Sequence, residues 1–471
     1  MTGVKRVPIG LKAGAGAFAV LAVTAAVTGC ATRGPAPEPV PGLTAFTNVN
    51  VLPMTSDAVL PGQTVVVRDG VIAAAGPATE VDVPRGATVI DGDGRYLMPG
   101  LAEMHAHVPP GANPPREDVE DILFLYVANG ITTIRGMLGS AYQIPLADEL
   151  ERGDVLGPNF YVGAPSLNGN TARTPDAAEA LIRAHVEAGY DLQKIHPGVP
   201  RAAWDRMAAV AEEVGLTFGG HVPQDVGLVH AIETGMSTVD HLDGYIQAIA
   251  SDDVQAQVNA GTISLGGLAR GVDDARLAEI VQLTIDHGVY VVPTMYLWEN
   301  LYGAPDADRF LQQPEMKYVS PQTRDSWRRR AGSGREGADV YLALRERVLK
   351  ELSNAGAGIL MGTDSPQLFN VPGFALHREL AVMSEAGMSN YEILKSGTAT
   401  VGEYVASHLE LDGNFGTIAP GQRADLVLLG SNPLDDLGNL VDRVGVMVRG
   451  RWVSRAEIDA GLEALSEKHS G

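Results

Sequence analysis

Two histidines, His105 and His107, stand two residues apart in PGLAEMHAHV, at the end of an apolar run. In an extended strand that spacing sends both imidazoles to one face. Such a pair is either a metal-ligand pair or two polar groups beside a strand end, and the pair alone does not choose. Four further side chains bear on the choice, because Lys194, His221, His241 and Asp364 each lie at or near the end of a short apolar run of their own. Imidazole nitrogens and carboxylate oxygens can together hold divalent metal and activate water. The chain has a single cysteine, Cys30, so thiolate ligands and disulfides are excluded from everything that follows it.

Eight apolar runs alternate with amphipathic stretches: Gly100–His107, Ile131–Gly136, Asn159–Ala164, Asp191–His196, Leu216–His221, Thr238–Leu242, Val289–Met295 and Ile359–Asp364. Helices fit the gaps. Pro175–Ala188 has Thr174 as N-cap and Pro175 at its first position, and Arg201–Val214 carries Trp204, Met207, Ala208 and Ala211 on one face. Repeated βα units predict an α/β fold, a (β/α)8 TIM barrel occupying 99–410. The candidate ligands then fall at the carboxyl ends of barrel strands, where active sites of this architecture are built, at spacings near multiples of the about 30-residue unit.

Short β-rich runs broken by Asp69-Gly70 and Asp91-Gly92-Asp93-Gly94 fill 43–98, and the same texture returns at 411–456. Neither segment has enough strands to stand alone, so the two are expected to form one small composite β-sheet domain. One gap in the barrel is long: an insertion at about 299–345 carries Trp327-Arg328-Arg329-Arg330 and a glycine-rich stretch, expected as a lid or an added helix.

The 471 residues carry a formal charge of −22, which excludes sequence-independent nucleic-acid binding through phosphate neutralisation. Lys5 and Arg6 precede an uncharged run from Ala13 to Gly29 that ends at Cys30. The arrangement resembles a bacterial lipoprotein signal over 1–30, with Cys30 lipidated as the mature N-terminus. Residues 31–42, ATRGPAPEPVPG, read as a Pro-rich tether. The expectation is an exported chain on the periplasmic or cell-surface side of a bacterial membrane, attached only by its N-terminal lipid.

The ordered set His-x-His, Lys, His, His, Asp resembles the amidohydrolase superfamily in its binuclear-metal form. The resemblance runs from Leu43 to about Val453 on NGITTIRGM, DLQKIHP around Lys194, GGHVP around His221, VDHLDG around His241, MGTDS around Asp364 and GTIAPGQRADLVLL. It is nearest to imidazolonepropionase-like and Xaa-Pro dipeptidase-like members, which share a helix like ALHRELAVMSEAGMS at 375–389. The resemblance implies that His105, His107 and Asp364 bind one ion and His221 and His241 a second, with Lys194 carbamylated to bridge them. An unmodified ammonium has no lone pair and would be expelled from such a cluster. Two ions there would activate a shared water and polarise a scissile carbonyl, with Asp364 shuttling the proton. The His-rich donor set points to zinc, with manganese, iron, cobalt and nickel using the same ligand types.

Other histidines are assigned lesser parts: His196 beside the pocket, His377 as a brace of the site, and His185, His230, His287, His408 and His469 as structural or solvated. Substrate contacts are expected from the loops after the strands: Ser166, Asn168, Tyr245 and Tyr296, with Arg135 or an arginine of 328–330 for a substrate carboxylate. The leading expectation is hydrolysis of a linear amide in a small molecule, a dipeptide or N-acyl amino acid. The alternatives are a cyclic amidase, lactonase or phosphotriesterase on the same metals, and a non-catalytic binding lipoprotein. A deaminase fits less well, because the mononuclear form would leave Lys194 without a purpose. The sequence carries no signal for oligomeric state.

Overall fold

The computed structural model describes residues 40–259, 261–303 and 306–470. Cys30, the leader segment and most of the tether lie outside these. The described chain opens with five strands: β1 Leu43–Val51, β2 Leu60–Arg68, β3 Val71–Pro77, β4 Thr88–Asp91 and β5 Tyr96–Pro99. Strands β2 and β3 are joined through Asp69-Gly70, both with positive φ (50° and 80°), the conformation a type I′ hairpin turn requires.

Seven short parallel strands follow: β6 Leu101–Ala106, β7 Ile131–Gly136, β8 Asn159–Val162, β9 Gln193–Ile195, β10 Phe218–Gly220, β11 Thr238–Asp240 and β12 Tyr290–Val292. Strands β6 to β8 form one ladder and β9 to β12 another. Parallel bridges Gly163↔Leu192 and Leu167↔Ile195 join the two ladders. The eighth position is taken by the extended segment 359–365, which bridges β12 at Val291↔Ile359 and β6 at Ala106↔Ser365. The His107 N–H donates to the Ser365 carbonyl at 2.8 Å, so the ring closes beside the first histidine pair. The fold is the (β/α)8 barrel.

The helices between strands begin and end where local chemistry dictates. Helix Pro175–Ala188 is capped by Thr174, whose hydroxyl accepts the Ala177 N–H at 3.2 Å, and it stops at Gly189 with φ 87°. Helix Arg201–Val214 buries Trp204, Met207, Ala208 and Ala211. The Trp204 ring meets Phe218 of β10 edge-on at 5.6 Å, fixing helix to barrel.

The long connection after β12 is helical: Met295–Tyr302, Ala307–Leu311, a 3-10 turn Pro314–Tyr318 and Pro321–Arg330. Trp327 anchors it by packing edge-on against Phe369 at 5.9 Å. The next helix, Ala338–Asn354, begins inside the stretch read as insertion and buries Tyr341, Leu344, Val348, Leu349 and Leu352, so it is a helix of the barrel wall.

Strands β13 Leu426–Leu429, β14 Arg443–Val448 and β15 Arg451–Ser454 return the chain to the first sheet. β13 lies antiparallel to β5 with Leu426 opposite Pro99, giving the order β15-β14-β13-β5-β1-β2-β3, with β4 on β1. Phe46, Val65, Ile72, Leu97, Leu426 and Met447 form its core. Both chain segments therefore bury one shared apolar face that neither could cover alone.

Candidate metal centre

The carboxyl end of the barrel brings six side chains together. His107 Nε2 lies 2.5 Å from Asp364 Oδ1, and His105 Nε2 lies 3.8 Å from the same oxygen. His241 Nε2 is 3.8 Å from Asp364 Oδ2. Lys194 Nζ approaches His105 Nε2 at 3.2 Å. The ring centroids of His221 and His241 are 4.4 Å apart, and those of His105 and His241 4.5 Å. His105, Lys194, His241 and Asp364 are buried, whereas His107 and His221 are partly open. Ligand atoms of His105, His107 and Asp364 all lie within 4.8 Å of one another, close enough to hold one ion.

What surrounds the imidazoles decides which nitrogens face the centre. His105 Nδ1 lies 2.7 Å from Asp240 Oδ2, His221 Nδ1 is 2.7 Å from Asp243 Oδ2, and His241 Nδ1 is 2.7 Å from Thr294 Oγ1. A carboxylate accepts the Nδ1–H, as Asp243 does for His221, and the lone pair is then on Nε2, the tautomer a metal ligand needs. His241 Nε2 is buried without a hydrogen-bond partner among the described residues. An orphaned lone pair beside an acidic group fits a cation better than it fits solvent.

Charge is arranged to suit. Burial opposes ionisation of Asp364, but the adjacent His105, His107 and Lys194 outweigh it and hold the carboxyl well below the usual range. Burial, with Lys194 beside it, keeps His105 neutral, and burial with His221 does the same for His241. The Lys194 ammonium is pulled down to about 8 by its burial. Asp364, His241, Leu242 and Thr294 all carry positive φ (61°, 65°, 52° and 45°), left-handed backbone that costs of order 1–3 kcal/mol per residue. The surrounding barrel holds this strain at the site.

A cavity of about 370 Å³ opens over the centre. His105, His107, His221, His241 and Asp364, with His196 and Gln367, make its floor, and Pro109, Leu138, Leu297, Trp298, Leu301 and Pro366 contribute an apolar wall. His196 stacks on His221 with centroids 5.1 Å apart, and Gln367 Nε2 donates to Asp364 Oδ1 at 3.1 Å. Helix Met295–Tyr302 supplies Leu297, Trp298 and Leu301 of that wall, and its first N–H groups, from Met295 and Tyr296, each donate to the buried Glu379 carboxylate at 2.8 Å.

Several expected contacts are elsewhere. Arg135 does not face a substrate: it is fully buried in the barrel, donating to Asp240, Thr238, Tyr404 and the Met104 carbonyl. Tyr245 is also fully buried, bonded to Thr284 at 2.8 Å. Tyr296 turns from the cavity to lie under the Arg378 guanidinium. Ser166 and Asn168 bond each other, and Asn168 closes a loop turn on the N–H groups of Asn170 and Thr171, so neither lines the cavity. His377 braces Asn129 at 3.3 Å rather than the site, and Arg328 pairs with Asp308 at 3.0 Å on the surface. Sequence reasoning missed Asp240, Asp243, Thr294, Gln367 and the wall residues Leu297, Trp298 and Leu301. For the two aspartates the signal was present, since both flank His241 in VDHLDG; Thr294 carried none.

Residues 96–453 match the Amidohydrolase family. Enamidase of Eubacterium barkeri is 23% identical over 399 residues, covering 83% of this chain and 86% of that protein. Adenine deaminase 3 of Rhizobium meliloti (strain 1021) is 28% identical over 261 residues, covering 51% of this chain and 42% of the deaminase, so the match spans less than half of that relative. Among solved structures, a Bifidobacterium longum protein assigned as a prolidase superposes with a TM-score of 0.66 at 23% identity, covering 91% of this chain and 100% of that one, which shows a shared fold. With the matched region spanning the barrel, the ligand-type cluster and the return to the first sheet, the chain belongs to the amidohydrolase family.

Proposed function

We propose that this enzyme hydrolyses a linear amide bond of the kind found in dipeptides and N-acyl amino acids, on two divalent ions. The observation that carries the reading is the convergence of His105, His107, Lys194, His221, His241 and Asp364, with the Nδ1 atoms of His221 and His241 hydrogen-bonded behind the site and that of His105 2.7 Å from Asp240. His105, His107 and Asp364 would hold one ion, His221 and His241 the other. Lys194 would lie between them as a carbamate. An amine must be neutral to add to CO₂, and burial, which weakens the Lys194 ammonium to about 8, raises the share of neutral amine near neutral pH above that of an exposed lysine. The ions, zinc by donor type, would supply polarisation of the scissile carbonyl and acidification of the attacking water.

The chain's own groups do the rest. Asp364 is aimed at the floor of the cavity and fixed by Gln367, so its carboxylate can take the water's proton and return it to the leaving nitrogen. The apolar wall excludes bulk water from that transfer. Kinship with an enamidase and with the prolidase-type fold supports C–N bond hydrolysis as the reaction class. The lipoprotein-like leader ending at Cys30 favours an exported, lipid-anchored enzyme.

The test is metal analysis of the purified enzyme together with product analysis on a panel of dipeptides, N-acyl amino acids, cyclic amides, lactones and adenine. About two ions per chain, with a free carboxylate and an amine as products, is the expected result. Ring opening alone would assign a cyclic amidase or lactonase. Released ammonia would assign a deaminase, and binding without turnover a carrier.

A further inference from the structure

The cavity floor holds one imidazole that is not in the ligand set, His196. It stands two residues after Lys194, and strand-like pairing continues to it: the His196 N–H donates to the Leu167 carbonyl at 2.8 Å, and the His221 N–H to the Ile195 carbonyl at 3.1 Å. Side chains two apart on a strand leave the same face, about 6.6 Å from one another along it. Lys194 is buried within the ligand-type cluster, so His196 stands one step above that cluster, at the cavity. Its ring stacks on His221 with centroids 5.1 Å apart, and no hydrogen bond from the described residues engages its ring nitrogens. An imidazole carries an N–H whether neutral or protonated. Outside the ligand set, the other N–H-bearing side chains lining the cavity are Gln367, held on Asp364 at 3.1 Å, and Trp298, whose Nε1 is buried from solvent.

We infer that His196 is a catalytic residue, whose ring N–H donates to the oxygen of the scissile carbonyl and holds it more tightly as negative charge gathers there. This rests on the amide-hydrolase reading above and adds a group to its site. When the water oxygen adds to the carbonyl carbon, the π pair moves onto the carbonyl oxygen. When the C–N bond breaks, that pair returns, and the nitrogen leaves with the proton that Asp364 carries. His196 gives up no proton in either step; it contributes a fixed dipole at the atom whose charge changes most, in a cavity whose apolar wall keeps bulk water from screening it.

Two variants separate the N–H from the ring. His196→Phe keeps an aromatic ring against His221 and has no N–H; His196→Gln keeps an N–H donor and has no ring. Both are compared with the zinc-loaded parent on the dipeptide or N-acyl amino acid that it cleaves fastest, with zinc content measured in each protein. His196→Phe is expected to lower kcat about 100–1,000-fold with KM changed less than about threefold, the effect of losing one donor to a developing oxyanion. His196→Gln is expected to be at least about tenfold faster than His196→Phe, and both are expected to keep the zinc content of the parent. A Gln variant no faster than the Phe variant overturns the inference, because the ring and not its N–H would then be what matters. So does a loss carried by KM, or a loss of zinc in either variant, which would make His196 a binding group or a ligand. If the parent cleaves no linear amide, the amide-hydrolase reading fails by itself, and the same comparison on the lactone or cyclic amide that it opens decides the role of His196. Turnover of no carbonyl compound overturns both.

Discussion

Asp240 Oδ2 lies 2.7 Å from His105 Nδ1, and the same carboxylate accepts from Arg135 Nη2 at 3.2 Å through each of its oxygens. All three residues are buried, so Asp240 links an arginine of the barrel core to an imidazole of the site. Asp240→Asn should lower zinc affinity about 10–100-fold, the usual effect of losing a group that orients a ligand histidine. Equilibrium dialysis measures it. Unchanged affinity in a folded variant would confine Asp240 to neutralising Arg135.

Lys194→Ala removes the only side chain of the cluster able to become a carbamate. Metal content is expected to fall from about two ions per chain to one or fewer, with amide hydrolysis lost, when both proteins are prepared in bicarbonate. Retention of two ions in the variant would show that Lys194 is not a ligand.

Gly362 sits where the eighth barrel segment passes behind the site. A Cβ there would stand 2.6 Å from Val292 Cγ1, 3.0 Å from the His105 nitrogen and 3.2 Å from Glu103 Oε1. Two of those atoms belong to the strand that carries His105. Gly362→Ala should therefore destabilise the fold by about 1–3 kcal/mol and weaken metal binding together. Thermal unfolding with and without zinc separates the two effects; loss of neither would mean that the strand yields freely.

His377 gives a pH dependence away from the centre. Burial, with Arg443 and Arg378 nearby, lowers its pKa from 6.5 to about 3. The unfolded chain therefore takes up a proton below pH 6.5 that the folded chain refuses, and stability falls as pH falls across that window. The contribution is about 2 kcal/mol between pH 6.5 and pH 5. His377→Asn should lose correspondingly less on acidification, read as a smaller drop in Tm from pH 7 to pH 5. A parallel drop in both proteins would refute the assignment.

Cys30→Ser tests the anchor. Expressed with its leader in a bacterial host, the parent chain should fractionate with membranes and label with radioactive palmitate, and the variant should do neither. Unchanged fractionation would mean that attachment does not run through Cys30.

Much of this molecule was readable from local pattern. The Asp69-Gly70 turn, the Thr174-Pro175 helix start and the two-residue spacing of His105 and His107 each express a rule acting over a few residues, and so does the succession of strand ends that gathers the six cluster side chains. Arg135 shows where such rules stop. Strand periodicity states which face a side chain leaves from, but the partner on that face is set by the register between strands and by closure of the ring. Only the closed barrel sets Arg135 of β7 against Asp240 of β11 and turns it from a substrate contact into part of the core. The same holds for Thr294 behind His241 and for the apolar wall from Met295–Tyr302, whose orientation is decided by Glu379 capping that helix from another one. The sequence by itself determined which residues could do the chemistry and at which end of the barrel they gather. Their protonation, orientation and the apolar wall above them come from contacts between residues far apart in the chain, which only packing in three dimensions creates.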